Sequence, residues 1–283
     1  MNQTKPTYKQ QGNVGLFDND ETMERLNKMG NPLAKLQEAV DFEMFRETLE
    51  KGFYKEKFTK VGAKPYDYVL IFKIVVLQRI YHLSDAQVEY QIRDRLSFRD
   101  FLGLASGDKV PDEKTIWAFK EELTKKGLFG QLFNEFYAFL EENNLILHEG
   151  TMIDGSFVEA PRQHNTCEEN RQNRGEDLFA DSAYIGKGVK RVMRKFGMKD
   201  KVIKRNTRGK KISKWQETIN RKNSKLRVRV EHVFGYMEEC LHGMSSRVVG
   251  FARNAAYNTL TNLVYNLCRY EQVMRLGTNW LTS

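Results

Sequence analysis

The sequence is poor in cysteine and has no long uncharged apolar run. Its 283 residues include three cysteines, Cys167, Cys240 and Cys268, and no two of them form a CxxC pair. An odd, scattered set argues against a disulfide scaffold and a zinc site, and it fits a reducing cytosol. The most apolar stretch, residues 68–77, is too short to span a bilayer and contains Lys73.

Several functional signals are also missing. The first twenty residues are polar and lack the apolar segment of a signal peptide, so we expect a soluble, cytoplasmic protein with no membrane partner. The sequence has no phosphate-cradling P-loop and no nucleophile elbow, although a Ser-His-Asp catalytic triad stays an alternative interpretation. The five histidines show no metal-ligand spacing.

Positive charge is abundant and concentrated in one segment. The net charge is +9, which favours a polyanionic partner, most often nucleic acid, although many basic proteins bind none. Between residues 185 and 230 there are 18 Lys or Arg residues and two acidic residues. A solvated basic face is the alternative, but we favour DNA contact. The candidate DNA-binding residues there are Lys204, Arg205, Arg208, Lys210, Lys211, Arg221, Lys222 and Arg229. We expect Trp215, within this run, to lie in the core rather than to stack on a base.

Apolar periodicity predicts a chain that is helical first and mixed later, a mainly α or α+β fold. Residues 1–30 are polar and are expected to form a flexible leader. Residues 31–145 show helical spacing and short connections, which predicts an N-terminal helical bundle. Within it, Ser84 is a predicted N-cap and Pro111-Asp112 a predicted helix start. Residues 146–276 contain the first strand candidates and a basic stretch, and we assign them to a second domain. We expect a helix there from about Leu226 through Met237, and a C-terminal helix with an apolar stripe formed by Leu260, Leu263, Val264, Leu267 and Cys268.

The bundle contains a possible DNA reader. A helix, a turn and a second helix over residues 98–126 could form a helix-turn-helix, although such hairpins more often serve packing alone. The polar residues best placed to touch DNA there are Arg99, Lys114, Thr115 and Lys120.

Three carboxylates in the second domain could share a metal. Asp154 and Asp181 each follow a short apolar strand, and Glu231 lies in a predicted helix. Hard cations such as Mg²⁺ bind few carboxylates together with substrate phosphate oxygens, and two such ions support phosphoryl transfer. The simpler interpretation is that the aspartates belong to turns and the glutamate to a solvated ion pair.

Five sequence blocks resemble the IS-five family of insertion-sequence transposases. TMIDGSFVEAPRQ, DLFADSAYIG and RVRVEHVFGYME resemble its three catalytic blocks. The segment from PYDYVLIF to FRDFLGL and the segment VPDEKTIWAFKEEL resemble its N-terminal domain. The blocks occur in the family's order over about residues 35–270, so the match is specific.

The resemblance implies a DDE transposase with a ribonuclease-H-like catalytic domain. Asp154, Asp181 and Glu231 match the metal-binding triad, which holds two Mg²⁺ ions, and Arg227 matches the family's arginine four residues before the glutamate. The implied partner is double-stranded DNA at terminal inverted repeats, bound by a homodimer. Two positions depart from the family: Ser224 replaces a common Tyr, and Glu238 replaces a common Lys.

The largest departure is the short distance between the aspartates. Only 26 residues separate Asp154 from Asp181. Two strands, a helix and their loops need at least about 35–40 residues. We infer an internal deletion between about residues 165 and 176, which predicts a shortened sheet and impaired activity. The alternative is a non-catalytic remnant that binds DNA and inhibits the full-length enzyme.

Overall fold

A computed structural model describes most of the helical part of the chain and part of the second domain. The described residues are 18–53, 65–105, 107–145, 151–153, 177–180, 190–191, 194–195, 197, 199–200, 204, 212–243, 246 and 248–277. For residues 18–20, the three strands, and residues 223 and 225–231, the description covers the backbone alone.

The first half of the chain is a set of short helices joined by turns. Helix α1 spans Asp18–Lys28, α2 Pro32–Ala39, α3 Arg46–Phe53, α4 Tyr68–Ile80, α5 Asp85–Asp94, α6 Leu96–Leu102, α7 Glu113–Lys125 and α8 Leu128–Glu142. A 3-10 helix at Phe42–Phe45 precedes α3. The prediction of an N-terminal helical arrangement is confirmed for these residues.

Polar side chains mark where these helices begin. Ser84 caps α5 in a capping box with Gln87, and Asp67 accepts hydrogen bonds from the first amides of α4. Asp112 caps α7 by accepting a hydrogen bond from the Thr115 amide. These caps satisfy amides that lack a partner within the helix, so the sequence signals at Ser84 and Asp112 correctly located both helix starts.

The expected flexible leader is wrong for residues 18–28, because they form α1. This helix has no apolar stripe strong enough to reveal it in the sequence. Pairs at i,i+4 spacing stabilise it instead: Arg25 bonds Glu21 at 3.2 Å, and Lys28 lies 3.9 Å from Glu24. Helix α1 also contacts α6. Residues 1–17 lie outside the described part of the chain.

Phenylalanines form the centre of the bundle. Phe45 is fully buried, and its ring lies 5.2 Å from that of Phe72 and 6.3 Å from that of Phe136. Phe42 meets Phe101 edge to face at 5.6 Å. Because these rings come from α4, α6, α8 and the 3-10 helix, one aromatic cluster joins most of the bundle.

The described strands form a small parallel sheet. Strand β1 is Thr151–Ile153, β2 is Asp177–Ala180 and β3 is Lys199–Asp200, in the order β1-β2-β3. Thr151 pairs with Leu178 and Ile153 with Ala180, and both neighbouring pairs are parallel. Parallel neighbours need a crossover of a dozen or more residues, and residues 154–176 are long enough to provide one.

Two long helices complete the chain. Helix α9 spans Lys214–Gly235 and runs into a π-helical turn at Tyr236–Cys240, and α10 spans Phe251–Leu276. The predicted start of α9 near Leu226 is wrong by about three turns, because Ser213 caps the helix much earlier. In the described ranges, no helix has the length and apolar character needed to cross a membrane.

Helix α10 packs into the N-terminal bundle. It contacts α2, α4, α7 and α8, and the stripe predicted from the sequence is buried there. Arg253 of α10 forms a two-bond ion pair with Glu121 of α7, at 2.7 and 3.0 Å. The predicted boundary at residue 145 therefore separates two parts of the sequence but not two hydrophobic cores: α10 belongs to the core of the bundle.

Candidate functional site: strand ends, a basic helix and the bundle junction

The three candidate carboxylates lie at or just beyond the edge of the described structure. Asp154 and Asp181 are outside the described residues, and Glu231 belongs to α9 with its backbone alone described. The residues before the aspartates, Ile153 and Ala180, are register partners in neighbouring parallel strands. Helix α9 contacts β2. The elements that lead to the three positions are thus adjacent.

Within the described residues, no group of three or more His, Cys, Asp and Glu side chains could hold a metal ion. The side chains of Asp154, Asp181 and Glu231 lie outside the part of the chain that the structure describes. Their chemistry suits a hard divalent cation, since all three are carboxylates and such ions prefer oxygen ligands.

The first turns of α9 expose a basic and aromatic surface. Lys214, Arg221 and Lys222 are exposed, and Trp215 is 72% exposed. The expectation that Trp215 lies in the core is wrong, because it is exposed in the first turn of the helix. We call these four residues the α9 basic surface. Cations beside an accessible ring are suited to contacting DNA phosphates and bases.

The chain before α9 is tied to this helix through Asn220. The Asn220 side chain accepts a hydrogen bond from the Lys204 amide at 3.2 Å and donates one to the Lys204 carbonyl at 2.8 Å. Lys204 itself is exposed. The candidates Arg205, Arg208, Lys210 and Lys211 lie outside the described residues. Arg227 and Arg229 lie on α9 with their backbone alone described.

The proposed helix-turn-helix is not formed. Helix α6 ends at Leu102 and α7 begins at Glu113, so the connection is much longer than the three to four residues of that motif. Helix α6 ends at Gly103, whose φ is +70°. The next helix begins only after Pro111 and its N-cap residue, Asp112.

The candidate DNA contacts in the bundle fall into two groups. Arg99 donates hydrogen bonds to the carbonyls of Ala105 and Asp108, and Lys120 forms an ion pair with Asp85. Arg99 thus bonds the connection between α6 and α7, and Lys120 joins α7 to α5. Their assignment to DNA stays a prediction. Lys114 is exposed on α7, and Thr115 is partly exposed beside the helix cap. Both stay predictions as DNA contacts.

Arg79 is a buried charged residue that the sequence interpretation missed. It lies on α4 and is 4% exposed. Its guanidinium donates to the Leu241 carbonyl, just after the π-helical turn, and to the Tyr257 hydroxyl of α10 at 2.5 Å. Burial lowers its pKa from the usual value. The available signal was a single arginine within the apolar helix VLIFKIVVLQRI, since such a cation needs internal partners.

A second contact lies at the same junction. Tyr236 begins the π-helical turn, and its hydroxyl lies near the Cys268 thiol of α10. Burial raises the pKa of Cys268 to about 11, and it also raises the pKa of Tyr236. The Tyr236 and Tyr265 rings meet edge to face at 5.7 Å. The end of α9 is therefore held on α10.

Two protein-family models match the chain. The model described as "Transposase domain (DUF772)" matches residues 21–122, and the model described as "Transposase DDE domain" matches residues 159–267. The first match includes most of α1, in agreement with the correction of the leader. The second includes Asp181, Glu231 and part of α10, and it begins after Asp154. No solved structure matches the chain.

Proposed function

Because the chain belongs to the DDE insertion-sequence transposases, we propose that it binds the terminal inverted repeats of its own element and cleaves and rejoins that DNA. Asp154, Asp181 and Glu231 are the proposed catalytic carboxylates, carried by a ribonuclease-H-like sheet. The protein acts in the cytoplasm as a homodimer on double-stranded DNA. The IS-five resemblance of its sequence blocks narrows the proposed family further.

The observation that carries this proposal is the register of β1 and β2, the strands that end just before Asp154 and Asp181. Ile153 and Ala180 end parallel neighbours side by side, and Asp154 and Asp181 are the residues that follow them in the sequence. Neighbouring strands lie about 4.8 Å apart, and consecutive Cα atoms are about 3.8 Å apart. Chain connectivity alone therefore keeps the two aspartate Cα atoms within about 12 Å of each other, a distance that two carboxylates can bridge through shared ions. The contact between α9 and β2 brings the helix of Glu231 to the same region.

The carboxylates fit a divalent metal by their donor chemistry. Two bound Mg²⁺ ions would activate the attacking oxygen and stabilise the leaving oxygen of the DNA strand. The oxygens of Asp154, Asp181 and Glu231 would hold them. Arg227 precedes Glu231 by one helical turn, where its guanidinium can donate to a DNA phosphate or to the glutamate. The α9 basic surface would orient the duplex by phosphate contacts.

We also propose that an internal deletion between about residues 165 and 176 weakens this activity. The described strands agree with a sheet that has lost its first flank, because β1 pairs directly with β2 and all neighbours are parallel. Among the described strands, β1 has no partner on its other side. An open edge leaves main-chain groups unpaired and makes the sheet easier to deform.

The test is a DNA-binding and cleavage assay with the purified full chain. The probe is a duplex that carries the inverted repeats flanking the coding sequence. We expect a salt-sensitive gel shift and weak Mg²⁺-dependent nicking that is lost in Asp154→Ala and Asp181→Ala. Robust strand transfer, abolished by Asp154→Ala, would contradict the impairment. Failure to bind the repeats would contradict the transposase proposal itself.

The second candidate function is a non-catalytic DNA-binding remnant that inhibits the full-length enzyme. The α9 basic surface favours it, because this surface can contact DNA whether or not the carboxylates assemble. A salt-sensitive gel shift without any nicking, together with inhibition of an intact transposase on the same repeats, would select this function.

A further inference from the structure

We propose that Arg79 is a positioning residue for Glu231, and that it acts by holding the end of α9 against the N-terminal bundle. The inference rests on the proposed catalytic role of Glu231. It assigns to the bundle a role in the metal site, since the bundle would set where one of the metal-binding carboxylates lies.

Arg79 joins three elements at one point. It projects from α4, bonds the Leu241 carbonyl after the π-helical turn, and bonds the Tyr257 hydroxyl of α10. Its guanidinium carbon also lies 4.4 Å from the centre of the Tyr257 ring. A hydrogen bond from a charged group to a main-chain carbonyl is directional and strong in a buried site. Leu241 cannot move without losing it.

Stability of the bundle alone does not explain a buried arginine at this place. Burying a cation is costly, and apolar residues of similar size often stabilise a core equally well. Arg79 Nε is buried and lacks a hydrogen-bond partner among the described residues, so the site does not even satisfy the side chain fully. Its two satisfied contacts both fix the relation of α4 to the C-terminal elements. We therefore infer that Arg79 serves to fix the position of the C-terminal elements relative to α4 rather than to stabilise the bundle.

The segment that Arg79 holds is tightly packed. A Cβ added to Gly243 would lie 2.7 Å from Thr261 Cγ2 and 3.3 Å from an Arg79 guanidinium nitrogen. The Gly243 amide donates to the Met237 carbonyl at 2.6 Å, which folds the chain back onto the π-helical turn. The Tyr257 hydroxyl donates to the His242 carbonyl at 3.4 Å. Residues 241–243 thus have little freedom relative to α4 and α10.

The constraint reaches Glu231 because α9 and the π-helical turn are continuous. Glu231 precedes Tyr236 by five residues, and Leu241 follows Tyr236 by the same number. A helix rises about 1.5 Å and turns about 100° per residue, so fixing two points after Glu231 fixes both the height and the rotation of its turn. Tyr236 packs on α10 through the Tyr265 ring, and Leu241 is held on α4 by Arg79. Both anchors belong to the core of the bundle.

The experiment compares Arg79→Met with a matched control variant, Arg253→Met, in the full chain. Methionine keeps the volume of Arg79 and removes its hydrogen bonds. Arg253 also ties α10 to the bundle, through Glu121, but none of its hydrogen bonds or ion pairs with described residues reaches α9. The two readouts are amide hydrogen exchange by mass spectrometry and Mn²⁺ affinity by electron paramagnetic resonance, with Mn²⁺ as the probe.

For Arg79→Met we expect amide exchange over residues 231–243 to rise about tenfold, with α4 and α8 little changed, because one charged hydrogen bond is lost locally. We expect its Mn²⁺ dissociation constant to rise about tenfold, as when the support of a metal ligand is removed. Arg253→Met should change neither quantity. Tyr257→Phe, which keeps the ring, should give the same local pattern more weakly, and it carries the test if Arg79→Met does not fold.

Two outcomes would overturn the inference. One is exchange that rises equally throughout the bundle, which would indicate a purely structural arginine. The other is unchanged Mn²⁺ affinity in a variant whose residues 231–243 exchange faster. The proposed function fails in a different way: the unmodified protein would not bind Mn²⁺, or Asp154→Asn would bind it equally well, whatever Arg79→Met does to exchange.

Discussion

Ile153 and Ala180 are register partners at the ends of two neighbouring parallel strands, and an aspartate follows each of them in the sequence. This pairing is compatible with the short connection between the aspartates. If the proposed deletion removed the flank of the sheet, it left the two strands that matter for the metal site side by side. The deletion would then weaken the support of the site rather than separate its ligands.

The α9 basic surface should contribute to DNA affinity through phosphate contacts. Replacing Arg221 by alanine should weaken duplex binding about equally for all sequences and reduce the slope of log K against log salt by about 1. Binding would be measured by fluorescence anisotropy between 50 and 200 mM salt. Lys51→Ala is the control, because Lys51 is an exposed lysine that pairs with Glu47 on α3. If both variants weakened DNA binding equally, the α9 basic surface would have no specific role in it.

Glu238 should oppose DNA binding. It is exposed in the π-helical turn after α9, at a position where the resembled family often has a lysine. Glu238→Lys should therefore tighten duplex binding at low salt, and the gain should shrink as salt screens the charge. Glu239→Lys adds the same charge at the neighbouring exposed position. If both variants gain equally, the effect is one of net charge and not of position.

Two helical glycines should respond in opposite ways to alanine. At Gly52 an added Cβ would lie 2.4 Å from Leu128 Cδ1, a buried side chain, so Gly52→Ala should cost about 1–3 kcal/mol by overpacking. At Gly130 nothing lies within 4 Å, so Gly130→Ala should stabilise by about 0.5–1 kcal/mol through helix propensity. Urea unfolding measures both. Stabilisation by Gly52→Ala would contradict the close approach of α3 and α8.

The ion pair between Glu121 and Arg253 should make the docking of α10 depend on pH. The hydrogen bond from Arg253 lowers the pKa of Glu121 below its usual 4.5. A carboxylate with a lowered pKa stabilises the folded state above its unfolded pKa, and this contribution is lost as the pH falls through the folded pKa. Glu121→Gln should therefore lower the melting temperature at pH 7, and this difference should shrink as the pH falls below about 4.5 and vanish once the pH is below the lowered pKa. A pH-independent difference would mean that the pair contributes no charge interaction.

The sequence predicted local structure better than long-range packing. Ser84, Asp112 and the apolar stripes located α5, α7, α8 and α10, because caps and periodicity are local signals. Helix α1 was missed because ion pairs, not an apolar stripe, stabilise it. The burial of α10 and the junction at Arg79 depend on distant residues, 132 positions apart for Arg253 and Glu121 and 162 for Arg79 and Leu241, which no local pattern reveals.

In the candidate site, too, the sequence predicted the local elements better than the surroundings of individual side chains. The strand ends at Ile153 and Ala180 and the helix of Glu231 lie where the sequence blocks suggested. Trp215 was assigned to the core, because a tryptophan is usually buried, and the structure exposes it at the start of α9. Arg99 and Lys120 have the residue type and position of DNA contacts and stay predictions, and the structure also gives them internal partners, the Ala105 carbonyl and Asp85. Residue type alone could not distinguish an internal partner from an external one.

The central claim is that Asp154, Asp181 and Glu231 form one metal site, and Mn²⁺ binding to the full chain tests it most directly. Electron paramagnetic resonance would compare the unmodified protein with Asp154→Asn, Asp181→Asn and Glu231→Gln. We predict that each single variant loses most of the bound Mn²⁺, because each removes a shared ligand. Mn²⁺ binding that is absent from the unmodified protein, or that survives in all three variants, would contradict the claim.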